Sequence, residues 1–197
     1  MLLYNSMVSG NCYKVRLLLA KLGIDYERRE LDVFDRSDRS EVLGELNPAL
    51  RVPTLVFDDG GVLAESNAII FYFARGTDFL PADPLEQARV LQWLFFEQYD
   101  HEPNIAVLRF WEMAGIHPSE AELEAKRERG TAALSALERH LESHHFLVGE
   151  RYSIADISLY AYTHVAPEAS FSLQPYPAIE AWLARIAADP GHIAISD

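Results

Sequence analysis

The sequence of 197 residues contains a single cysteine, Cys12, so no disulfide can form within the chain. This scarcity fits a reducing compartment. No apolar run approaches the roughly 20 residues that a membrane-spanning helix needs. The opening residues, MLLYNSMVSGNCYK, also lack the basic segment and long apolar run of a secretory signal, and we therefore expect a cytoplasmic protein.

Basic residues are also scarce. The 17 Lys and Arg residues stand against 30 Asp and Glu residues, which gives a formal net charge of −13. Such a surface repels phosphate backbones and anionic membranes, so neither nucleic acid nor a membrane is an expected partner. The seven histidines are scattered, and adjacent His144 and His145 would point to different sides of a helix. We predict no metal site.

Apolar residues make up 49% of the chain, enough to bury a sizeable core, and their spacing differs between the two halves. In the first half, the predicted elements are strands at Met1–Asn5, Asp25–Leu31, Thr54–Phe57 and Val62–Ala64, and helices at Tyr13–Leu22 and Asn67–Ala74. Residues 35–46 are predicted to be part helix and part loop. The segment Asp58-Asp59-Gly60-Gly61 predicts a hairpin turn between the last two strands.

The segment GTDFLPADP, from Gly76 to Pro84, predicts a linker, and the longer segments after it have helical spacing. Helices are predicted at 85–99, 119–144, 153–162 and 177–188, and Ser153 and Asp156 match a capping box. A mixed α/β half followed by an all-α half predicts two domains. We assign residues 1–76 to the first domain, 77–85 to the linker and 86–197 to the all-helical domain.

The most informative motif is Arg51-Val52-Pro53-Thr54-Leu55, followed ten residues later by Glu65-Ser66. A proline directly before a strand cannot donate to a sheet ladder, and a cis bond there would turn the Val52 backbone outward to pair with an extended peptide. Glu65-Ser66 stands where a strand ends and a helix begins, so free N–H groups and the hydroxyl can hold a carboxylate while the glutamate holds an ammonium. Each feature alone is typical of an edge proline or a helix N-cap. In this order they predict a receptor for a short peptide with an α-amino and an α-carboxylate group at one end.

Three segments, Asn47-Pro48, Val52-Pro53-Thr54-Leu55 and Glu65-Ser66-Asn67-Ala68-Ile69, together resemble the glutathione-site signature of the glutathione S-transferase superfamily. Near the start, Ser9-Gly10-Asn11-Cys12-Tyr13-Lys14-Val15-Arg16 resembles the catalytic loop of its serine-type members. The resemblance covers nearly the whole chain. It implies a thioredoxin-like N-terminal domain followed by a helical-bundle C-terminal domain. Leu50 departs from the pattern, because members usually have glycine there, and this leaves the path of the loop open.

The resemblance also implies a role for each matching residue. Val52 and Pro53 are expected to present their backbone to the cysteinyl part of glutathione, which would bind as a co-substrate. Glu65 and Ser66 are expected to hold its γ-glutamyl group. Arg51 is placed to approach the glycyl carboxylate or the sulfur.

Ser9 falls where serine-type members keep the hydroxyl that donates to the glutathione sulfur. Such a donor favours the thiolate of a thiol that otherwise titrates near about 8.5. Asn11 is a second candidate for this catalytic role and Ser6 a third, and the sequence does not rank them. Cys12 takes the second position of a C-x-x-C-like pattern, so we expect it to pack as a small apolar residue rather than to attack disulfides.

In the second half, Tyr99, His101 and Trp111 are candidates for an apolar pocket for the second substrate, although aromatic residues at helical spacing are also typical of a core. The leading prediction is a glutathione transferase that attacks small hydrophobic electrophiles in detoxification. The alternatives are glutathione-dependent peroxide or disulfide reduction, and a non-catalytic glutathione-binding interaction protein. The resemblance further implies a symmetric homodimer.

Overall fold

The computed structural model describes residues 1–197, which divide into two compact units. The first unit comprises Met1–Arg75 together with Pro190–Asp197, and the second comprises Gly76–Asp189. Residues 190–197 therefore belong to the first unit, whereas the sequence pattern assigned them to the helical domain. The expected class, a mixed α/β unit and an all-α unit, is confirmed.

Most helices and strands lie close to their predicted positions, but the helix over Glu102–Ala114 occupies a segment for which no separate helix was predicted. The first unit contains β1 (Leu2–Asn5), α1 (Gly10–Leu22), β2 (Glu27–Glu30), α2 (Arg39–Leu43), β3 (Thr54–Val56), β4 (Val62–Ala64) and α3 (Ser66–Ala74). The second unit contains α4 (Pro84–Phe96), α5 (Glu102–Ala114), α6 (Glu120–Leu141), α7 (Ile154–Thr163) and α8 (Pro177–Ala187). None of the helices combines the length and the hydropathy that crossing a membrane requires.

The four strands form one mixed sheet in the order β2-β1-β3-β4. β1 is parallel to β2, with α1 in the connection between them, and β3 is antiparallel to both β1 and β4. The predicted hairpin joins β3 and β4 through Gly60, whose φ of +85° suits glycine. This order of strands and helices is the thioredoxin-like arrangement that the sequence predicted.

Alternation along the strands gives the sheet two buried faces. Leu3 pairs with Leu55 across β1 and β3, and both side chains are fully buried. The next residue in β1, Tyr4, points to the other face, where it packs with Leu31 and with Leu43 of α2. The sheet is therefore covered on both sides. This packing holds the ends of β1 and β3 in place, and the candidate site lies at these ends.

The second unit is organised around the buried carboxylate of Asp156. Its Oδ1 accepts from the Leu147 N–H at 2.9 Å and from the Trp182 indole N–H at 3.0 Å. Its Oδ2 accepts from the Ser153 N–H at 2.9 Å and from the Ser153 hydroxyl at 3.0 Å, so the predicted capping box is confirmed. Burial raises the pKa of the Asp156 carboxyl to about 6, which leaves it ionised at neutral pH. One side chain thereby joins α7, α8 and the loop before them.

A single helix was predicted over 85–99, but α4 ends at Phe96 and a π-helical turn covers Glu97–His101 before α5 begins. Pro103 explains the change, because it has no N–H to donate to the carbonyl of Tyr99 and its ring would crowd that carbonyl. The neighbouring Asp100 carbonyl accepts instead from the Asn104 side chain at 2.6 Å. The wider turn buries Glu97 and His101 inside the unit and exposes Tyr99.

Candidate functional site

The turn between β1 and α1 presents the Ser9 hydroxyl at a helix N-terminus. Ser9 is the N-cap of α1, which begins at Gly10, three residues before the predicted start at Tyr13. The Ser9 Oγ accepts from the Cys12 N–H at 3.3 Å. Because this bond uses a lone pair of the oxygen, the hydroxyl proton is left for an acceptor outside the turn. The side chain is partly exposed, so an anion can reach both this donor and the positive end of the helix.

Asn11 is directed to a different partner. Its Oδ1 accepts from the Ser66 hydroxyl at 3.1 Å, which links the first turn of α1 to the first residue of α3. Of the three candidates for thiolate stabilisation, Ser9 therefore has the partly exposed hydroxyl, and Asn11 has a bond to the neighbouring helix. Ser6, the third, is buried in the turn.

Cys12 is fully buried, as its position in the sequence predicted. Its Sγ accepts from the Ser6 N–H at 3.3 Å. Burial raises the pKa of the Cys12 thiol to about 11, against the smaller opposing effect of the Ser9 side chain. The side chain is therefore a protonated part of the core at neutral pH, and its sulfur serves the turn as an acceptor.

The loop before β3 holds Val52 at the edge of the sheet ladder. The Val52–Pro53 peptide bond is cis, and strand pairing begins only at Thr54. Behind it, the Arg51 carbonyl accepts from the Thr54 hydroxyl at 2.8 Å and from the Asn47 side-chain amide at 2.9 Å. These two bonds fix the backbone on the core side, so the Val52 N–H and C=O lie beyond the ladder, where an extended peptide can pair with them. The Arg51 side chain is exposed.

Leu50 adopts the left-handed conformation, with φ of +53°. Glycine adopts this conformation readily, whereas a residue with a Cβ is disfavoured there. In this chain Leu50 packs against the cluster of Tyr4, Leu31 and Leu43. Its carbonyl lies 3.4 Å from the buried guanidinium of Arg39, which also donates to the Asp32 carbonyl at 2.7 Å. Packing and this cation hold the loop in the path that the sequence left open.

The start of α3 forms the third part of the site. The N-cap is Glu65, with φ of +77°, and Ser66 is the first helical residue, so the prediction that Ser66 caps the helix is corrected. The Glu65 Oε1 accepts from the Asn67 N–H at 3.2 Å and lies 3.3 Å from the Ser66 Oγ. Glu65 remains exposed, while Ser66 is almost fully buried. An exposed carboxylate thus stands beside a helix N-terminus, and this pair can bind an ammonium and a carboxylate.

Two residues of this site were missed as functional side chains. The buried ammonium of Lys14 lies 3.4 Å from the Ser66 Oγ, which places a cation directly behind the helix N-terminus. Asn47 holds the loop at Arg51 and also accepts from the Ala49 N–H at 3.0 Å. The dipeptide Asn47-Pro48 was a turn signal that pointed to Asn47, whereas nothing in the sequence pattern distinguished Lys14 from a surface lysine.

The three residues predicted for the second-substrate pocket are not brought together. The Tyr99 side chain is 84% exposed and borders a cavity of about 540 Å³ between the π-helical turn and α6. His101 is fully buried, with Nε2 2.9 Å from the Thr163 hydroxyl. Trp111 borders a different cavity of about 180 Å³ at the end of α5. The helical spacing that grouped them is interrupted by the π-helical turn.

No group of three or more His, Cys, Asp or Glu side chains is arranged to hold a metal ion. His140 lies in the last turn of α6 and His144 lies beyond its end, and their rings stack 4.1 Å apart. The His140 Nε2 lies 3.1 Å from the Leu147 carbonyl and the His144 Nδ1 2.8 Å from the His140 carbonyl. These nitrogens are engaged with backbone groups rather than directed at a common point.

Comparison with known proteins identifies the family of both units. Residues 8–75 match the family model for the glutathione S-transferase N-terminal domain, and residues 91–190 match that for its C-terminal domain. A crystal structure of a glutathione S-transferase from Pseudomonas fluorescens Pf-5 is 46% identical, with a TM-score of 0.95 over 100% of this chain and 98% of the other. Glutathione S-transferase 3 of Zea mays is 32% identical over 95% of this chain and 89% of its own length.

Two further relatives have other names. Disulfide-bond oxidoreductase YfcG of Escherichia coli strain K12 is 28% identical over 91% of this chain and 87% of its own length. Elongation factor 1-gamma of Artemia salina is 32% identical over 83% of this chain, which spans 41% of that protein. Relatives with different names thus match most of this chain, and the two domain models together span most of the sequence. The chain belongs to the glutathione S-transferase family.

Proposed function

We propose that this protein is a glutathione transferase in which Ser9 stabilises the glutathione thiolate for attack on small hydrophobic electrophiles. The observation that carries the proposal is the Ser9 hydroxyl, which accepts from the Cys12 N–H and keeps its proton for a partner at the N-terminus of α1. A cytoplasmic location and a role in detoxification are part of the same proposal.

Glutathione is a short extended peptide, and the site offers a group that suits each of its three residues. Val52, at the edge of the ladder, would pair with the cysteinyl backbone in the manner of an added strand. Glu65 would bind the γ-glutamyl ammonium, and Ser66 with the N-terminus of α3 the adjacent carboxylate. Arg51, exposed beside Val52, would meet the glycyl carboxylate. Arg51 and the N-terminus of α3 supply the local positive charge that opposes the acidic net charge of the chain.

The chemistry requires a thiolate at neutral pH, whereas a free thiol titrates near about 8.5. A hydrogen bond from Ser9 to the sulfur, together with the positive end of α1, favours the ionised form. The thiolate then attacks an electrophilic carbon, a C–S bond forms, and the leaving group departs with its electron pair. Removal of one such donor commonly slows a reaction by about two to three decades.

Trp111 is our choice among the predicted residues for the second substrate. Its cavity is bordered by apolar side chains, among them Leu108, Ile116 and Leu123. The volume of about 180 Å³ is below the range of about 300–1,000 Å³ for sites that enclose drug-sized ligands. It therefore suits one small apolar group of an electrophile.

Glutathione-dependent reduction is the second candidate, because a relative is named a disulfide-bond oxidoreductase. The same Ser9-stabilised thiolate could attack the sulfur of a disulfide, forming a mixed disulfide and releasing a thiolate. A route through the protein's own thiol is disfavoured, since Cys12 is buried and its pKa is about 11. A non-catalytic glutathione-binding protein would retain the ligand without turnover of either substrate class.

A homodimer is a further part of the proposal. Leu91, Phe95 and Tyr99 follow one another at four-residue intervals along α4 and its π-helical extension, and they are 37%, 70% and 84% exposed. Exposed apolar side chains along one element are what a subunit interface would cover. We expect sedimentation equilibrium at micromolar concentration to give twice the 22.3 kDa chain mass. A mass of 22.3 kDa under these conditions would contradict the dimer.

Glutathione binding should depend on the charge of Glu65. Glu65→Gln keeps an oxygen for the Asn67 N–H but cannot pair with an ammonium, so we expect the Kd measured by calorimetry to rise by about tenfold to a hundredfold. Glu41→Gln, an exposed carboxylate on α2, is the matched control and should bind as the wild type does. An unchanged Kd for Glu65→Gln would remove the residue from the site.

Turnover should depend on the Ser9 hydroxyl. Ser9→Ala is expected to lower kcat in an aryl halide assay by about one to three decades with little change in glutathione affinity. The control is Ser119→Ala, which removes the equivalent N-cap from α6, where the Glu122 N–H donates to the Ser119 Oγ at 3.3 Å. Full turnover by Ser9→Ala, with loss in Asn11→Ala, would transfer the role to Asn11.

Cys12 should be inert in the folded protein. With a pKa of about 11, only about one thiol in ten thousand is ionised at pH 7, and burial blocks access to it. We expect slow alkylation by iodoacetamide before unfolding and complete alkylation in guanidinium, with activity retained by Cys12→Ala. Rapid stoichiometric labelling of the native protein, with loss of disulfide reduction in Cys12→Ala, would favour the reductase.

A further inference from the structure

The side chain of Arg16, on α1, is fully buried beneath the Ser9 turn. Its Nη1 donates to the Asn5 Oδ1 at 2.8 Å and lies 3.4 Å from the Ser6 carbonyl. Its Nη2 lies 3.3 Å from the Met7 carbonyl. All of these acceptors belong to the end of β1 and to the turn that leads to Ser9. The guanidinium therefore holds that turn from its buried side.

A carboxylate in the sheet also binds the residues that lead to the Ser9 turn. Glu30, at the end of β2, accepts from the Asn5 side-chain amide at 2.6 Å and from the Met7 N–H at 3.1 Å. Asn5 therefore connects the carboxylate to the guanidinium, and Met7 is bound through both its N–H and its C=O. The backbone on the approach to Ser9 is fixed by this network.

The shortest bond of Arg16 reaches the other end of the chain. Its Nη2 donates to the Ile195 carbonyl at 2.6 Å, which is closer than any of its bonds within the turn. The segment is held there by the Tyr13 hydroxyl, which donates to the Ile193 carbonyl at 2.7 Å. Lys21 and Arg28 bind the Pro190 and Asp197 carbonyls at 2.8 and 3.0 Å. These contacts explain why residues 190–197 belong to the first unit.

A buried cation needs every acceptor that its surroundings supply. Burial lowers the pKa of the Arg16 guanidinium, which shows the cost of keeping the charge away from water. If the Ile195 carbonyl is withdrawn, the Nη2 group loses its best acceptor and must either shift toward the turn or admit water. Either response moves the carbonyls of Ser6 and Met7, and with them the Ser9 hydroxyl.

We infer that residues 190–197 position the Ser9 turn, with Arg16 as the positioning residue that connects the two. The inference rests on the proposed function of Ser9, but the coupling between the segment and the turn can be measured without any substrate. In this arrangement the segment contacts no reacting atom. It sets the direction in which the Ser9 proton points, and hence the thiolate chemistry rather than the affinity for glutathione.

Two variants loosen the segment without altering Arg16. Tyr13→Phe removes the hydroxyl that binds Ile193 but keeps the buried ring, and a chain without residues 192–197 lacks the Ile195 carbonyl altogether. Lys21→Gln is the matched control, because it removes a contact to the same segment at Pro190, away from Arg16. Amide hydrogen exchange of the ligand-free proteins is the first measurement, and kcat with the glutathione Kd is the second.

We expect the Met7 and Ser9 amides to exchange about tenfold or more faster in Tyr13→Phe and in the shortened chain, with the β3 amides unchanged. We also expect kcat to fall about tenfold in both, with the glutathione Kd unaltered. Lys21→Gln should behave as the wild type in every measurement. This pattern separates a positioning role from a general loss of stability, which would raise exchange throughout the sheet.

Wild-type exchange at Met7 and Ser9 in both loosened proteins would overturn the inference, whatever the enzyme does. Faster exchange spread evenly over β1, β3 and the turn would also overturn it, since the segment would then only stabilise the unit. Faster exchange confined to the turn in a protein that has no transferase turnover would support the coupling and contradict the proposed function instead.

Discussion

The first unit depends on the need to satisfy a buried positive charge. Arg16 lies out of contact with water, and its hydrogen-bond acceptors are neutral oxygens of the strand end, the Ser9 turn and the residue 190–197 segment. Because leaving both Nη groups of a buried guanidinium without acceptors would be costly, these separate pieces of backbone have to meet at one place. The position of Ser9 is a consequence of that meeting. Its N-cap bond to Cys12 then determines which part of the hydroxyl is left for a ligand.

The second unit follows the same rule with the opposite charge. The four donors around Asp156 come from the loop at Leu147, from the start of α7 and from Trp182 of α8. When an ionised group accepts hydrogen bonds from several elements, those elements can pack in only one arrangement. Apolar packing alone restricts the arrangement less. The α3 end of the site uses a third buried ion, the Lys14 ammonium behind Ser66.

Local patterns were sufficient to predict the class of the fold and most of its elements. Alternation and turn residues located the β3–β4 hairpin, and the Ser153 and Asp156 pair located the start of α7. The motif around Val52-Pro53 and Glu65-Ser66 indicated the candidate site because the residues that form each part of it are adjacent in the sequence. Even there the cap of α3 was assigned one residue late, since a glutamate with positive φ is an unusual N-cap.

The remaining features depend on residues that are distant in sequence. Arg16 and Ile195 are 179 positions apart, so no local pattern predicts their bond, and Lys14 resembles a surface lysine until α3 is placed over it. The grouping of Tyr99, His101 and Trp111 failed because one proline changed the helical phase between them. Which polar side chains are buried depends on how the whole unit packs, so the periodicity of the sequence does not predict it.

If Ser9 has the proposed role, glutathione bound beside it is ionised at neutral pH, and the thiol of this bound glutathione can be titrated directly. The ultraviolet absorbance of the thiolate in the protein–glutathione complex, recorded against pH, gives the pKa of the bound thiol. We predict a value about one to two units below that of free glutathione, because the Ser9 hydroxyl and the N-terminus of α1 both favour the anion. A bound thiol that titrates at the same pH as free glutathione would contradict the proposed role of Ser9.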